Sequence, residues 1–245
     1  MVHRSMVKHR IVRASAAVAV ASGGVAALAL SAPAAATTAA AADCKPVSIV
    51  SSRGTFEPQD GSWLQKPIGD QIAKALPGRT KYTELVYPAA PNMDKSPEAG
   101  VTALVKLLND EAQACPDQRY VLVGYSQGAQ VTGDSLVPPA NRLVGKNAGE
   151  VSAAVPGRIA AIVLYGDPRF VAGEPYNAGT PEAGKSGDKP RTKGELAAYT
   201  GRIRDFCEKG DFVCQGSTGN VLAHLTYFFN GMNNQGAQFA IEQIS

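Results

Sequence analysis

The chain has 245 residues, with 24 Lys+Arg against 21 Asp+Glu and a formal charge of +3. Arg4, Lys8, Arg10 and Arg13 all precede Asp43, the first acidic residue; setting these four aside leaves 20 bases against 21 acids, a net of −1 over residues 43–245. That balance gives no electrostatic footprint for nucleic acid or for an anionic membrane surface.

The front of the chain reads as a secretory signal peptide over residues 1–36. It has a basic start, then an alanine-rich apolar stretch over 14–30. Two A-x-A sites follow, Ala34-Ala35-Ala36 and Ala40-Ala41-Ala42, which place cleavage between about 36 and 42. Ala, Gly and Ser dilute the stretch too far for a permanent span, and no later segment is long and apolar enough to cross a bilayer. A secreted protein without stable membrane insertion is expected. Residues 43–245 suffice for one domain with a substantial core.

From there, apolar runs alternate with helical patterns. Residues 47–52 read as a first strand. Leu64, Ile68, Ile72 and Leu76 make one face of a helix over 63–76. A second strand is expected over 82–87. Ser96 reads as an N-cap with Pro97 at the first helical position, opening a helix to about Ala114 whose buried face is Val101, Leu104, Val105 and Leu108. Tyr120-Val121-Leu122-Val123 is a short buried strand, followed by Gly124-Tyr125-Ser126-Gln127-Gly128-Ala129 and then helical spacing. Residues 159–165 form an almost unbroken apolar strand, as expected where both faces are covered. Residues 173–194 break the pattern: Gly and Pro are frequent, periodicity is absent, and a solvated surface loop is expected. A shorter strand over 202–206 and a closing helix over 235–244 complete the chain. The alternation predicts a three-layer α/β/α sandwich with a mostly parallel central sheet and no large lid domain.

Strand, G-x-S-x-G and helix in succession read as a nucleophile elbow around Ser126. The turn lifts the hydroxyl above the sheet and aims a helix N-terminus at the reacting centre, where its dipole favours developing negative charge. A serine nucleophile needs a base that titrates near neutral pH. The chain has three histidines, and His3 and His9 lie in the expected leader. His224 is the one that remains. Asp167, Asp205 and Asp211 all qualify by position as the acid that orients it. Asp167, in Gly166-Asp167-Pro168, also reads as a structural turn residue, and Asp205 as a surface charge at a strand end.

The four cysteines, Cys44, Cys115, Cys207 and Cys214, all lie after the leader, so two disulfides are expected, with three possible pairings. One pairing closes a small loop with Cys207–Cys214 and ties the N-terminus to the turn before the elbow strand with Cys44–Cys115. A metal site is disfavoured, because there is no C-x-x-C pair.

Several of these pieces together resemble the cutinase family of serine esterases. They are Arg53-Gly54-Thr55 after the first strand, the elbow itself, the run Cys207-Glu208-Lys209-Gly210-Asp211-Phe212-Val213-Cys214, and His224 followed by Leu225. The resemblance covers nearly the whole of 43–245 and looks closest to the actinobacterial branch. It implies an α/β-hydrolase fold, with Ser126 as nucleophile, His224 as base and Asp211 as acid. It implies an oxyanion hole from the Gln127 and Thr55 backbone N–H groups with the Thr55 hydroxyl beside them. It also implies the disulfides Cys44–Cys115 and Cys207–Cys214, no metal or organic cofactor, and a monomer acting on an ester substrate.

Short- to medium-chain esters or polyesters are the expected substrates. Acetylated xylan, lipids, transfer to an acceptor other than water, and a non-catalytic binding role are the alternatives. The expected pocket rim, 87–91 and 218–222, reads as only moderately apolar, which argues against strong binding at a lipid interface.

Overall fold

The computed structural model describes residues 43–216 and 220–245; the expected leader, over 1–36, lies outside them. Six strands form one sheet in the order β2-β1-β3-β4-β6-β5. They are β1 (Val47–Ser52), β2 (Thr80–Glu84), β3 (Arg119–Tyr125), β4 (Ile159–Tyr165), β5 (Asn177–Gly179) and β6 (Ile203–Cys207). Every pairing is parallel. All of β4 is buried, which is why its sequence is apolar on both faces rather than alternating.

Helices cover both faces. α1 (Gln65–Ala75) and α5 (Met232–Ile244) lie on one side. There Ile68, Ile72, Phe239 and Ala240 join Val121, Val123 and Tyr165. α2 (Lys95–Ala114) and α3 (Gln127–Ser135) lie on the other. There Leu104, Leu108 and Val131 join Leu122 and Ile162. Each fully buried Leu or Ile is worth roughly 1.5–3 kcal/mol of transfer free energy.

The chain runs from β1 outward to β2, then returns to β3 on the other side of β1. The order therefore reverses between β1 and β3, and ligands in open parallel sheets bind at the carboxyl ends of strands at such a point. Thr55 follows β1 and Ser126 follows β3, so both emerge there.

Three expectations need correcting. The second strand ends at Glu84, not at 87. Leu85 and Tyr87 are buried, and the Leu85 N–H still donates to the Ser51 carbonyl at 2.8 Å, but the Arg53 guanidinium takes the Leu85 and Tyr87 carbonyls, at 3.3 and 2.5 Å.

Ser96 is not the N-cap of α2. Asn92 accepts from the Asp94 and Lys95 N–H groups at 3.3 and 3.1 Å, and the Ser96 hydroxyl points to the site described below.

The stretch 173–194 is not a simple solvated loop. It supplies the edge strand β5, paired with β6, and it carries Arg191 into the interior, where only 5% of that residue is exposed.

Both disulfides pair as the family resemblance implies, Cys44–Cys115 across 71 residues and Cys207–Cys214 across 7. The chain-entropy model gives about 4 kcal/mol for the long loop and about 2.5 for the short one.

Candidate active site

Ser126 sits between β3 and α3 with φ 55° and ψ −120°. A side chain rarely adopts this region, and holding one there costs on the order of 1–3 kcal/mol. The surroundings force it. The Ser126 N–H donates to the Tyr165 carbonyl at 2.8 Å, and its carbonyl accepts from Ala129 and Gln130. The flanking glycines permit the close approach. A Cβ on Gly128 would lie 1.9 Å from the Ser52 carbonyl oxygen, and one on Gly124 2.6 Å from the Gly128 carbonyl oxygen.

His224 lies on the short helix α4 (Val221–Leu225), capped by Asn220, whose side chain accepts from Leu222 N–H at 2.7 Å. Its Nε2 is 2.9 Å from Ser126 Oγ. Its Nδ1 is 2.9 Å from both carboxylate oxygens of Asp211. The ring stacks on Tyr125 with centroids 4.9 Å apart, and the Tyr125 hydroxyl donates to the His224 carbonyl at 2.7 Å. Gly166 closes the back of this pair, since a Cβ there would be 2.7 Å from His224 Cε1 and 3.0 Å from Asp211 Oδ2. Asp211 is fully buried inside the Cys207–Cys214 ring.

Thr55 and Gln127 face the same space. Neither backbone N–H has an acceptor among the described residues. The Gln127 side chain has a part that its sequence position does not reveal. Ser96 Oγ donates to its Oε1 at 2.7 Å, and its Nε2 donates to the Ala90 carbonyl at 2.9 Å and to Thr55 Oγ1 at 3.0 Å. Thr55 Oγ1 is thereby an acceptor from Gln127, and its own proton is free to donate into the cleft.

Arg53 and Glu57 shape the turn that carries Thr55. The Arg53 guanidinium gathers the carbonyls of Glu57, Leu85, Tyr87 and Pro88. The Glu57 carboxylate accepts from Gly54 N–H at 2.6 Å and Leu64 N–H at 3.2 Å. Burial raises the Glu57 carboxyl above its ordinary value, and those two N–H groups oppose the rise. Arg53 is legible only as a member of the Arg53-Gly54-Thr55 motif, because nothing local in sequence ties it to 85–88, and Glu57 is not legible at all.

The groups open onto a cleft of about 470 Å³. Its rim is strongly apolar, contrary to the sequence expectation. Phe56 is 72% exposed, Trp63 61% and Val221 60%; Met93, Phe212 and Leu225 complete it. The expected rim residues Thr218 and Gly219 lie outside the described residues. Phe56 also has φ 68°, so the turn presents an aromatic side chain to solvent from a strained backbone.

The other two aspartates belong to a separate cluster. Asp167 accepts from Arg169 N–H at 2.9 Å and pairs with Arg191 Nη1. Asp134 pairs with Arg169 at 2.7 Å and lies 3.6 Å from Arg191. Burial works against the Arg191 charge, but the Asp167 and Asp134 carboxylates outweigh it and hold the guanidinium above its ordinary value. Asp205 is buried rather than a surface charge, and its Oδ1 has no partner among the described residues. Burial, and then the Asp167 charge, push its carboxyl well above the ordinary 3.8.

A parallel sheet with helices on both faces and a strained serine between strand and helix is the architecture of the α/β-hydrolases. The cutinase family model matches residues 43–244, and the chain belongs to that family of carboxylic-ester hydrolases. It is 35% identical to a cutinase from Kineococcus radiotolerans over 202 residues, covering 82% of this chain and 62% of that protein's length. It is 29% identical to carboxylesterase Culp1 of Mycobacterium tuberculosis, covering 88% of this chain and 89% of that one. Among solved structures, the catalytic core domain of acetyl xylan esterase from Trichoderma reesei superposes with a TM-score of 0.68 at 25% identity, covering 82% of this chain and 100% of that one.

Proposed function

We propose that this chain is a secreted serine esterase in which Ser126, His224 and Asp211 form the catalytic triad and Thr55 and Gln127 the oxyanion hole. The observation that carries the reading is the hydrogen-bonded line from Asp211 through His224 to Ser126, ending in front of two backbone N–H groups that have no acceptor among the described residues. Ser126 Oγ attacks the ester carbonyl carbon while His224 Nε2 takes its proton. The carbonyl oxygen becomes an oxyanion held by the Thr55 and Gln127 N–H groups and the Thr55 hydroxyl, each donor worth roughly 3 kcal/mol in the transition state. His224 returns the proton to the departing alcohol. A water, deprotonated by His224 in turn, then hydrolyses the acyl-enzyme.

The apolar rim supports esters with hydrocarbon acyl chains or polyester surfaces over polar substrates. Phe56, Trp63 and Val221 lose contact with water when such a chain lies across them, at about 25 cal/mol per Å² covered. Acetylated xylan is the second reading, motivated by the likeness to an acetyl xylan esterase fold. The leader over 1–36 and the two disulfides support export, since such bonds persist in oxidising compartments.

Purified protein assayed on p-nitrophenyl esters of increasing chain length, and on acetylated xylan, tests both substrate readings. Butyrate to octanoate esters are expected to outrun acetate, with release from xylan slower still. Ser126→Ala and His224→Ala should each lose at least about 10⁴-fold in turnover, with the double variant no worse than either. Turnover kept by folded His224→Ala would sink the triad reading.

A further inference from the structure

Tyr227 stands three residues after His224, on the 3-10 turn Thr226–Phe228 that continues α4. That spacing sets the two rings on one side of the turn, with centroids 6.3 Å apart and planes at 89°. The Tyr227 hydroxyl reaches past the imidazole into the disulfide ring. It donates to Asp211 Oδ2 at 2.6 Å and accepts from the Glu208 N–H at 2.9 Å. Cys214 Sγ lies 3.5 Å from the same oxygen. That sulfur is bonded to Cys207 and carries no proton, so the phenol proton is committed to the carboxylate.

The two oxygens of Asp211 are held differently. Oδ1 accepts the Val213 N–H at 2.8 Å. His224 Nδ1 is shared at 2.9 Å between both oxygens. Beyond that shared bond, Oδ2 is held by Tyr227. Without the phenol, only the Val213 N–H and the shared His224 bond resist rotation of the carboxylate about its Cβ–Cγ bond. With one donor fewer, its charge also acts more strongly on the imidazole that remains.

We infer that Tyr227 is a positioning residue for ester hydrolysis: its hydroxyl fixes the plane of the Asp211 carboxylate and, through it, the orientation of His224. The inference rests on the triad reading above. Tyr227 acts through Asp211 and does not line the cleft. The ionisable groups facing His224 are Asp211, Tyr125 and Tyr227, with Glu57 beyond Tyr125. Burial, and then the Asp211 charge, raise the Tyr227 phenol well above its ordinary value. It therefore remains a donor throughout the range in which a histidine changes charge.

Tyr227→Phe keeps the ring and deletes the hydroxyl. Turnover (kcat) is expected to fall about tenfold, the size of one charge-assisted hydrogen bond, with KM within about twofold of the parent. NMR titration of the full chain reads the coupling directly, because His3 and His9 are common to both proteins. The pH at which His224 titrates should move upward in Tyr227→Phe. It should move downward with 3-fluorotyrosine at position 227, a stronger donor of nearly the same size.

A role confined to stability would lower the melting temperature and leave kcat and both titrations unmoved. That result, or a loss confined to KM, overturns the inference. If Tyr227→Phe does not fold, the 3-fluorotyrosine protein decides. Retained turnover in Ser126→Ala would defeat the triad reading instead, and the titrations, which need no turnover, would still report on Tyr227.

Discussion

The buried aspartates fall into two groups that differ in their partners. Asp211 faces a histidine at the floor of an open cleft. Asp134, Asp167 and Asp205 lie around Arg169 and Arg191 in a sealed interior. An imidazole can accept and release a proton near neutral pH, whereas a guanidinium cannot. Asp167 and Asp211 both follow central strands, so position alone does not distinguish them. The partner does.

The sharpest way to break that contrast is to neutralise one acid in each group. Asp211→Asn should cost about 10⁴-fold in turnover, because an amide neither holds the imidazole in the required tautomer nor stabilises its charged form. Asp167→Asn should leave turnover within a few-fold of the parent but cost about 3 kcal/mol of stability, since it leaves the buried Arg191 charge with Asp134 alone, 3.6 Å away. Steady-state assays alongside thermal melts check both. The reverse ranking in folded proteins would move the acid to Asp167.

The disulfides sharpen the same distinction. Cys207→Ser with Cys214→Ser frees the ring that carries Asp211, and a displacement of about 1 Å in such a group can cost on the order of a hundredfold in rate. Its melting temperature should fall less than that of Cys44→Ser with Cys115→Ser, which releases the longer loop, worth about 4 kcal/mol. The latter pair should keep its turnover once folded. Parental turnover in the Cys207/Cys214 variant would mean that the ring does not hold Asp211 in place.

Asp205→Asn gives the smallest effect. Its folded carboxyl is raised above 3.8 by burial and by Asp167. As pH climbs past that ordinary value, the unfolded chain ionises freely while the folded one holds its proton, so stability falls until the raised value is passed. Asn mimics the neutral acid and removes this loss. The variant should therefore melt above the parent at pH 8 and level with it near pH 3. Equal melting at both would show that Asp205 is not strained by its surroundings.

Legibility in the sequence followed the range of the forces involved. β4 is readable to the residue, because a continuous apolar run reports burial on both faces. The elbow motif singles out Ser126 and histidine scarcity singles out His224 as candidates, and the fold brings the two within 2.9 Å. Choosing Asp211 as the candidate acid takes the family resemblance, since three aspartates qualify by position. The end of β2 is not legible because Leu85 and Tyr87 stay buried beyond it, where Arg53 rather than a neighbouring strand takes their carbonyls. Ser96 was misread as a cap because its partners, Ala90 and Gln127, come together only in the folded chain. Arg191 hid in a Gly- and Pro-rich stretch whose composition suggested solvent. The rim escaped notice because Phe56, Trp63 and Met93 are scattered before folding.

That rim also governs how the protein behaves outside any assay. Aromatic and aliphatic side chains gathered on one face give the molecule the character of a surfactant. It will collect at air–water boundaries and on plastic, so dilute stocks will lose protein to vessel walls, and foaming will denature what remains. Activity that vanishes on dilution and returns with a trace of non-ionic detergent would be this adsorption, not unfolding.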